Sequence, residues 1–303
     1  MRVKIDVTVN VEGTTLQPER SLSPSQLAMR RFLRNKLALV GLFLMVIFIL
    51  IGIFAPFIAT QDPTVSNLSQ VYSKPSSEHY LGTDASGRDN FSRLVFGTRI
   101  SLTVGFTAMI FTLVIGLVLG SLAGYYGGKV DAVIMRATDL MLTIPFLLLV
   151  LTIIAILQKV SIGIFVVIIA FTTWPNITRI LRGTFLSLRE KEFILGARSI
   201  GCSDFRIITK HFLPNAIGPI IVNATLTMAT MIVIESALSF IGFGIPEPTP
   251  TWGNMIDEAR QIRVLTKFPE AWIPPGAAIL LTVLAINFIG DGLRDAFDPK
   301  GKR

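Results

Sequence analysis

Six long apolar runs separated by polar segments limit the folds open to this chain. A hydrocarbon core of about 30 Å takes about 20 apolar residues in a helix, which rises roughly 1.5 Å per residue. The runs cover residues 37–59, 100–122, 137–157, 162–180, 216–241 and 276–289, and the last continues into Asp291 and Arg294. Because lipid satisfies no backbone polar group, these runs predict an all-α membrane protein of six transmembrane helices. We expect Pro145 to kink the third span.

The composition agrees with a membrane protein and excludes several kinds of site. Of 303 residues, 51% are hydrophobic and 16% charged, and the mean hydropathy is +0.63. The net charge of +8 does not indicate a nucleic-acid partner, because no aromatic-basic platform accompanies it. The single cysteine, Cys202, excludes an intrachain disulfide and a cysteine-based metal site. His79 and His211 have no second ligand at metal spacing, so no metal site is predicted.

The basic residues are distributed unevenly about the six spans. On one side lie Arg30, Arg31, Arg34, Lys36, Lys129, Arg136, Arg179, Arg182, Arg189, Lys191, Arg198, Arg206, Lys210, Arg294, Lys300, Lys302 and Arg303, and on the other Lys74, Arg88, Arg93, Arg99, Lys159, Arg260, Arg263 and Lys267. Cytoplasmic loops carry the excess of Lys and Arg. We therefore expect both termini in the cytoplasm. Residues 1–24 form a polar cytoplasmic segment to which the sequence assigns no role.

Residues 192–215, EFILGARSIGCSDFRIITKHFLPN, form a polar and basic interval between two apolar runs, on the side expected to be cytoplasmic. Gly201 divides it, and Pro214 is expected to end it because proline lacks an N–H and breaks the helical ladder. We predict two short helices that meet at Gly201. The glycine either permits a positive φ or lets another backbone approach closely. An elbow of this kind at a membrane surface suits insertion into a partner.

This segment resembles the EAA loop of the membrane subunits of ABC importers, whose pattern is E-A-A, three residues, G, nine residues and I-x-L-P. Ala197, Gly201, Leu213 and Pro214 match that pattern, and Leu195, Gly196 and His211 depart from it. The resemblance implies that the loop docks into a groove on a separate ATPase subunit. The residues implied in this coupling are Glu192, Ala197, Arg198, Gly201, Asp204, His211, Leu213 and Pro214.

A second string, residues 81–102, reads LGTDASGRDNFSRLVFGTRISL. Asp89 is expected to cap a short amphipathic helix that runs through Gly97. Taken alone, the arginines at 88, 93 and 99 fit a solvated face. The whole string resembles the signature that precedes the permease core in peptide/nickel importers. It implies an extra N-terminal transmembrane helix and extracytoplasmic segment over residues 25–97, and a type I ABC importer permease fold over residues 98–303.

Glu235 is an ionisable residue inside the fifth predicted span, in the string MIVIESALSFIGFG. Carboxylates in spans are costly and face protein or water. Two interpretations follow. Glu235 either lines the translocation path, where it meets substrate or gates the cavity, or serves as a structural carboxylate bonded to a neighbouring helix.

The sequence contains no motif of an ATPase or hydrolase. G-x-x-x-x-G-K-[ST], H-E-x-x-H and G-x-S-x-G are absent from it. We therefore expect a non-catalytic chain, without catalytic residues or a bound cofactor. The resemblance to ABC importers implies that it depends on ATP and Mg²⁺ used by partner ATPase subunits.

The resemblance implies the C-type permease subunit of a dipeptide, oligopeptide or nickel ABC importer in the bacterial inner membrane. The implied partners are a homologous B-type permease, two ATPase subunits, an extracytoplasmic substrate-binding protein and membrane lipid. A peptide substrate is expected, with a nickel or metal chelate as the alternative. Two other classes of protein compete with this interpretation: a self-contained secondary transporter, which often has an inverted repeat, and an intramembrane enzyme. Neither an inverted repeat nor a nucleophile–base set is evident.

Overall fold

A computed structural model describes residues 24–158 and 160–297 of this chain. Its α-helices are α1 Pro24–Arg34, α2 Lys36–Ile53, α3 Ala55–Ile58, α4 Asn90–Tyr126, α5 Gly128–Thr143, α6 Phe146–Leu157, α7 Ile162–Arg189, α8 Glu192–Ser199, α9 Asp204–Ile207, α10 Leu213–Phe240, α11 Trp252–Asp257, α12 Ile262–Lys267 and α13 Pro269–Phe297. Two 3-10 turns, Leu68–Gln70 and Glu258–Arg260, and one π-helical turn, Ile208–Phe212, complete the regular structure of these ranges. The polar segment 1–24 lies outside the described residues, apart from Pro24.

Five helical stretches are long and apolar enough to cross a bilayer. They are Lys36–Ile53, Asn90–Tyr126, Ile162–Arg189, Asp204–Phe240 and Pro269–Phe297. The pair formed by α5 and α6 passes the same criterion together, with a bend of 83° between its halves. The prediction of an all-α membrane protein is confirmed, and the structure has the six predicted spans when the bent pair counts as one.

The third span differs from the kinked helix predicted for residues 137–157. It begins earlier, at Gly128, and breaks completely at Ile144 and Pro145, whose ψ angles are 125° and 124°. A residue that precedes proline is disfavoured in the helical region, and proline itself donates no hydrogen bond. The two effects act on consecutive residues here, so the helix stops and restarts instead of bending.

Ion pairs fasten α5 to α7. The Arg182 guanidinium binds both carboxylate oxygens of Asp131, and Arg179 Nη2 lies 2.7 Å from Asp139 Oδ1. The i,i+3 spacing of Arg136 and Asp139 predicts a local ion pair on α5, but Asp139 pairs with Arg179 of the neighbouring helix instead. The first half of the bent span is held against α7 by charge as well as by packing.

Helix α4 packs against α7 through a row of small residues. A Cβ atom at Gly116 would overlap the Ile177 side chain, and one at Gly120 would lie 2.9 Å from the Thr178 carbonyl oxygen. The close helix contact that the G-x-x-x-G spacing of these glycines predicts is present. Because the two backbones approach so closely, α4 and α7 form the centre of the bundle.

The N-terminus of α4 confirms one expectation and corrects another. Asp89 caps the helix, since its side chain accepts a hydrogen bond from the Ser92 N–H at 2.7 Å. The helix does not end near Gly97, however. It continues for 37 residues to Tyr126. A Cβ at Gly97 would lie 3.4 Å from the Trp252 side chain, so this glycine accommodates a packed neighbour within an unbroken helix.

An ionic cluster joins two polar segments near the start of α4, with Asp84, Arg88 and Arg93 buried and Glu247 half-exposed at its edge. Asp84 Oδ2 lies 2.6 Å from Arg88 Nε and 3.3 Å from Arg93 Nε, and both arginines also contact Glu247. Arg88 is 4% exposed and Arg93 1%. The solvated face considered for the arginines of this string is therefore wrong at these two positions. Only Arg99 among the three is exposed.

Glu258, in the 3-10 turn after α11, lies next to this ionic cluster. Its Oε2 accepts a hydrogen bond from the Ala85 N–H at 3.3 Å. The pKa of Glu258 is raised to about 7, chiefly by burial and then by the nearby charge of Asp84, while Arg93 acts in the opposite direction. The carboxyl group therefore retains its proton to a much higher pH than an exposed glutamate, which makes this contact sensitive to pH near neutrality.

Candidate coupling and translocation sites

The predicted elbow at Gly201 is present, and hydrogen bonds explain why glycine stands there. Helix α8 ends at Ser199, and Gly201 adopts φ +76°. The Gly201 N–H bonds to the Arg198 carbonyl at 2.9 Å, and the Cys202 N–H bonds to the Ala197 carbonyl at 3.1 Å. These two bonds form a Schellman C-cap, whose central residue requires a positive φ. No described atom of the chain comes within 4 Å of a Cβ placed at Gly201.

The second arm of the elbow is longer than predicted, because Pro214 does not end it. Helix α9 passes through the π-helical turn Ile208–Phe212 directly into α10, and Pro214 lies in the first turn of α10. The Leu213 N–H bonds to the Ile208 carbonyl, five residues back. Just before the proline, this π-helical bond spans five residues instead of the four of an α-helix. The helix therefore continues through Pro214 although that residue has no N–H to donate. The elbow arm is therefore continuous with a membrane span.

An aromatic cluster anchors both arms of the elbow to the ends of α4 and α7. The Phe185 and Phe212 rings stack with centroids 5.5 Å apart, and Tyr125 meets Phe212 edge-on at 5.3 Å. Ile194 of α8 and Ile207 of α9 are fully buried in the same cluster. Both arms of the elbow therefore pack directly on the ends of two central helices.

Polar contacts reinforce this anchor at Tyr125. Its hydroxyl donates to Asp204 Oδ1 at 2.5 Å. The guanidinium carbon of Arg198 lies 4.7 Å from the centre of the Tyr125 ring, in cation–π geometry. Two of the residues implied in coupling, Arg198 and Asp204, thus both contact Tyr125. Tyr125 lies outside both of the sequence strings that carry the family resemblance.

The remaining residues implied in coupling are spread along the two arms. Ala197 is buried, Glu192, Gly201 and Pro214 are exposed, and His211 and Leu213 are half-buried. The elbow also has an apolar apex that was not predicted, where Ile200 is 80% exposed and Phe205 77% exposed on either side of Gly201. The sequence signal that could have predicted this apex is the presence of large apolar side chains within a polar, basic segment. An exposed apolar apex of this kind indicates a protein contact surface.

Glu235 is completely enclosed, with 0% exposure. Ser239 Oγ donates to its Oε1 at 2.9 Å, and Ser101 Oγ of α4 donates to its Oε2 at 3.3 Å. Ser101 Oγ in turn accepts the Trp252 N–H at 3.2 Å. The carboxylate therefore joins α10 to α4 and, through Ser101, to α11. This geometry favours the structural interpretation of Glu235 over the path-lining one.

A cavity of about 480 Å³ opens at the break between α5 and α6. Its walls come from that break and from α4, α7 and α10. Its polar lining consists of Thr112, Thr172, Thr173, Asn176, Asn223, Thr227 and Thr230, and Ile234 is its last lining residue on α10. Glu235, the adjacent residue, is not in the wall.

No group of three or more His, Cys, Asp or Glu side chains in the described ranges could hold a metal ion. The free Cys202 is partly buried beside the elbow.

Comparison with known proteins identifies the family. Residues 116–303 match the family described as binding-protein-dependent transport system inner membrane component, and residues 23–75 match the N-terminal transmembrane domain of oligopeptide transport permease C. The first match alone covers more than half of the chain.

Relatives align over nearly the whole chain. A dipeptide transport system permease of Alkalihalophilus pseudofirmus is 45% identical over 93% of this chain and 92% of its own length. An oligopeptide transport system permease of Bacillus subtilis is 41% identical with the same coverage, 93% and 92%. A glutathione transport system permease of Pectobacterium atrosepticum is 39% identical over 90% of each chain.

Solved structures agree in fold. A chain of the inward-facing MetNI methionine ABC transporter superposes with a TM-score of 0.56 at 21% identity, covering 69% of this chain and 97% of that one. An amino acid ABC transporter gives a TM-score of 0.52 at 17% identity, covering 67% and 94%. These likenesses bear on the fold and confirm the type I importer permease architecture. The chain belongs to the inner-membrane components of binding-protein-dependent transport systems, as a multi-pass permease of the C type in the peptide-importer family.

Proposed function

We propose that this protein is the transmembrane permease subunit of an ATP-driven importer of di- or oligopeptides. The observation that supports a peptide cargo most directly is the 45% identity with a dipeptide permease across 93% of the chain. The oligopeptide permease at 41% identity supports the same cargo class. In this proposal the chain is non-catalytic, binds no cofactor, and takes its energy from ATP and Mg²⁺ bound by separate ATPase subunits.

The elbow is the proposed point of energy input. Its apex presents Ile200, Gly201 and Phe205 to solvent, while its inner side packs on the Tyr125–Phe185–Phe212 cluster. A surface that is apolar outside and rigidly anchored inside suits insertion into a groove of an ATPase subunit. Nucleotide-driven closure of two such subunits would move the anchored helix ends and switch the cavity between outward-open and inward-open states.

The proposal also includes the other subunits of the importer and the orientation of this chain in the membrane. A homologous B-type permease would pair with this chain, and an extracytoplasmic binding protein would deliver the cargo. We place both termini and the elbow in the cytoplasm, because the basic residues concentrate there. Residues 25–97 would form the N-terminal membrane helix and outer segment, and residues 98–303 the permease core.

A nickel or metal-chelate importer of the same family is the second candidate. Metal cargo calls for imidazole, thiolate or carboxylate groups along the path. Among the described residues that line the cavity at the α5–α6 break, none is His, Cys, Asp or Glu. This lining favours peptides over metal chelates.

Reconstitution of the complete complex tests the proposal. The chain, its partner permease, both ATPases and the loaded binding protein are assembled in proteoliposomes, and ATP-dependent uptake is measured with a labelled dipeptide, a labelled oligopeptide and a nickel chelate. Peptide uptake that requires ATP and the ATPase subunits is expected. Uptake by the permease without ATPases would indicate a secondary transporter, and uptake of the nickel chelate alone would indicate the second candidate.

A further inference from the structure

The cavity at the α5–α6 break is lined on its polar side by neutral groups alone within the described ranges. Hydroxyls and amides come from α4, α7 and α10, and no arginine, lysine, aspartate or glutamate contributes to the lining. Charged residues are common elsewhere in the chain, with 28 basic and 20 acidic side chains. Their exclusion from this cavity separates it from the ionic cluster and the elbow at the two ends of α4.

Three of the five lining threonines, Thr172, Thr173 and Thr230, donate their hydroxyl protons to carbonyls of their own helices. Thr173 Oγ1 donates to the Ile169 carbonyl at 2.7 Å, and Thr230 Oγ1 to the Leu226 carbonyl at 3.0 Å. A hydroxyl that donates to its own helix keeps lone pairs available on the other side. These threonines therefore offer acceptors to the cavity and few donors.

Two asparagines on facing helices complete the set. Asn223 of α10 uses its Nδ2 to donate to the Pro219 carbonyl at 2.8 Å, which leaves its Oδ1 as an acceptor. Asn176 of α7 is exposed in the cavity wall, and its side chain forms no hydrogen bond within the described part of the chain. Its amide can therefore both donate and accept. Together the two side chains can satisfy a peptide N–H and a peptide carbonyl.

We propose that Asn176 and Asn223 form a neutral contact site for the peptide groups of the cargo, so that this chain passes peptides without selection by net charge. The inference rests on the proposed peptide-importer function. A charged side chain in a low-dielectric passage would hold cargo of opposite sign and reject cargo of the same sign. Neutral amides bind the backbone that all peptides share. Weak contact of this kind also suits a path that cargo must leave as well as enter.

Charge substitution in the complete reconstituted transporter tests this. Uptake is measured for three labelled peptides of equal length with net charges of −1, 0 and +1, each delivered at saturating loaded binding protein. The wild type should transport the three at similar rates. Asn223→Asp and Asn223→Lys should change the ratio of anionic to cationic uptake in opposite directions, each by about tenfold, because a single charge acts strongly in a low-dielectric site. Asn223→Gln, which keeps a neutral amide, should preserve the wild-type ratio.

Asn176→Asp and Asn176→Lys provide a second pair at an exposed position, which protects the test against loss of assembly at Asn223. Opposite shifts at either position support the inference. The inference is overturned if the wild type takes up peptides and every assembled charged variant either keeps the wild-type ratio of anionic to cationic uptake or shifts it in the same direction. Absence of any peptide uptake by the wild-type complex would instead refute the proposed function on which the inference rests.

Discussion

The Tyr125 hydroxyl donates a 2.5 Å hydrogen bond to Asp204 Oδ1, which joins the C-terminal end of α4 to the first residue of α9. This bond lies beside the Arg198 cation–π contact and the Phe212 ring, so it links the elbow to a central helix. Within the proposed function it carries part of the mechanical coupling between the ATPase and the cavity.

Tyr125→Phe removes this bond while it preserves the ring packing. A hydrogen bond of this kind contributes about 1 kcal/mol net, so we expect about a fivefold loss in the ratio of transport to ATP hydrolysis. Tyr126→Phe is the matched control, because Tyr126 is adjacent and 46% exposed. Equal effects of the two variants, measured in reconstituted complexes, would argue against a coupling role for the Tyr125–Asp204 bond.

Substitutions at Gly201 separate two reasons for the glycine. Valine is β-branched and strained at the observed φ of +76°, at a cost of about 1–3 kcal/mol. We expect Gly201→Val to lose roughly tenfold or more in substrate-stimulated ATPase activity, whereas Gly201→Asn, which tolerates this backbone region, should stay within about threefold of wild type. Ser199→Ala is the mild control, since the Ser199 hydroxyl bonds only to its own helix at Leu195.

The Asn variant also reports on docking. If Gly201→Asn is as damaging as Gly201→Val, the glycine is needed because a partner backbone comes close, and not because of its own φ. Wild-type stimulation and transport in Gly201→Val would mean that the elbow is an ordinary cytoplasmic turn.

Hydropathy and short motifs predict a large part of this fold, because both depend on local sequence. The six apolar runs and the cap at Asp89 were predictable from side-chain type and spacing. The break at Pro145 was underestimated as a kink: the proline marks where the helix stops, but the 83° angle between the halves also involves tertiary contacts such as the Asp131–Arg182 pair that ties α5 to α7. Such pairs form between residues distant in sequence, which a local pattern does not encode.

The same limit explains the corrections at the candidate sites. Pro214 was expected to end a helix, and only the π-helical turn before it shows how the chain continues. Arg88 and Arg93 fit a solvated face until Asp84 and Glu247 are brought beside them by the fold. The coupling role assigned to the motif residues by resemblance stays a prediction, whereas the packing of Tyr125 and Phe185 on the elbow from other helices carries no local sequence signal.

Labelling from the two sides of the membrane tests the predicted topology. In a Cys202→Ser background, single cysteines at Ser76 and at Ser203 should react with an impermeant maleimide from opposite faces, because the positive-inside rule assigns the elbow to the cytoplasm. Ser76 and Ser203 are both exposed, so neither should be shielded from the reagent by this chain. Labelling of both from one face would contradict the six-span topology.

The Glu258 contact should depend on pH. Its pKa in the folded protein, about 7, is above the usual value of 4.5, so the folded state binds more protons than the unfolded state between these two values. Stability at this contact is therefore full below about pH 4.5 and declines as the pH rises toward about 7. Thermal unfolding of the purified protein should show a larger drop from pH 5 to pH 8 in the wild type than in Glu258→Gln. Identical pH profiles would exclude a Glu258 that stays protonated near neutral pH in the folded state.

Substitutions at Glu235 distinguish a carboxylate that lines the translocation path from one that serves a structural role. Its full burial and its two serine donors, Ser101 and Ser239, predict that removal of the acceptor leaves these hydroxyls unsatisfied at about 1–3 kcal/mol in total. We expect Glu235→Ala to lower the unfolding temperature and the yield of the complex, while the transport rate per assembled complex stays near the wild-type value. Glu235→Gln, which retains a side-chain carbonyl acceptor, should recover most of the stability. Normal unfolding together with lost transport in both variants would instead assign Glu235 to the translocation path, in a conformation where α4 and α10 have moved apart.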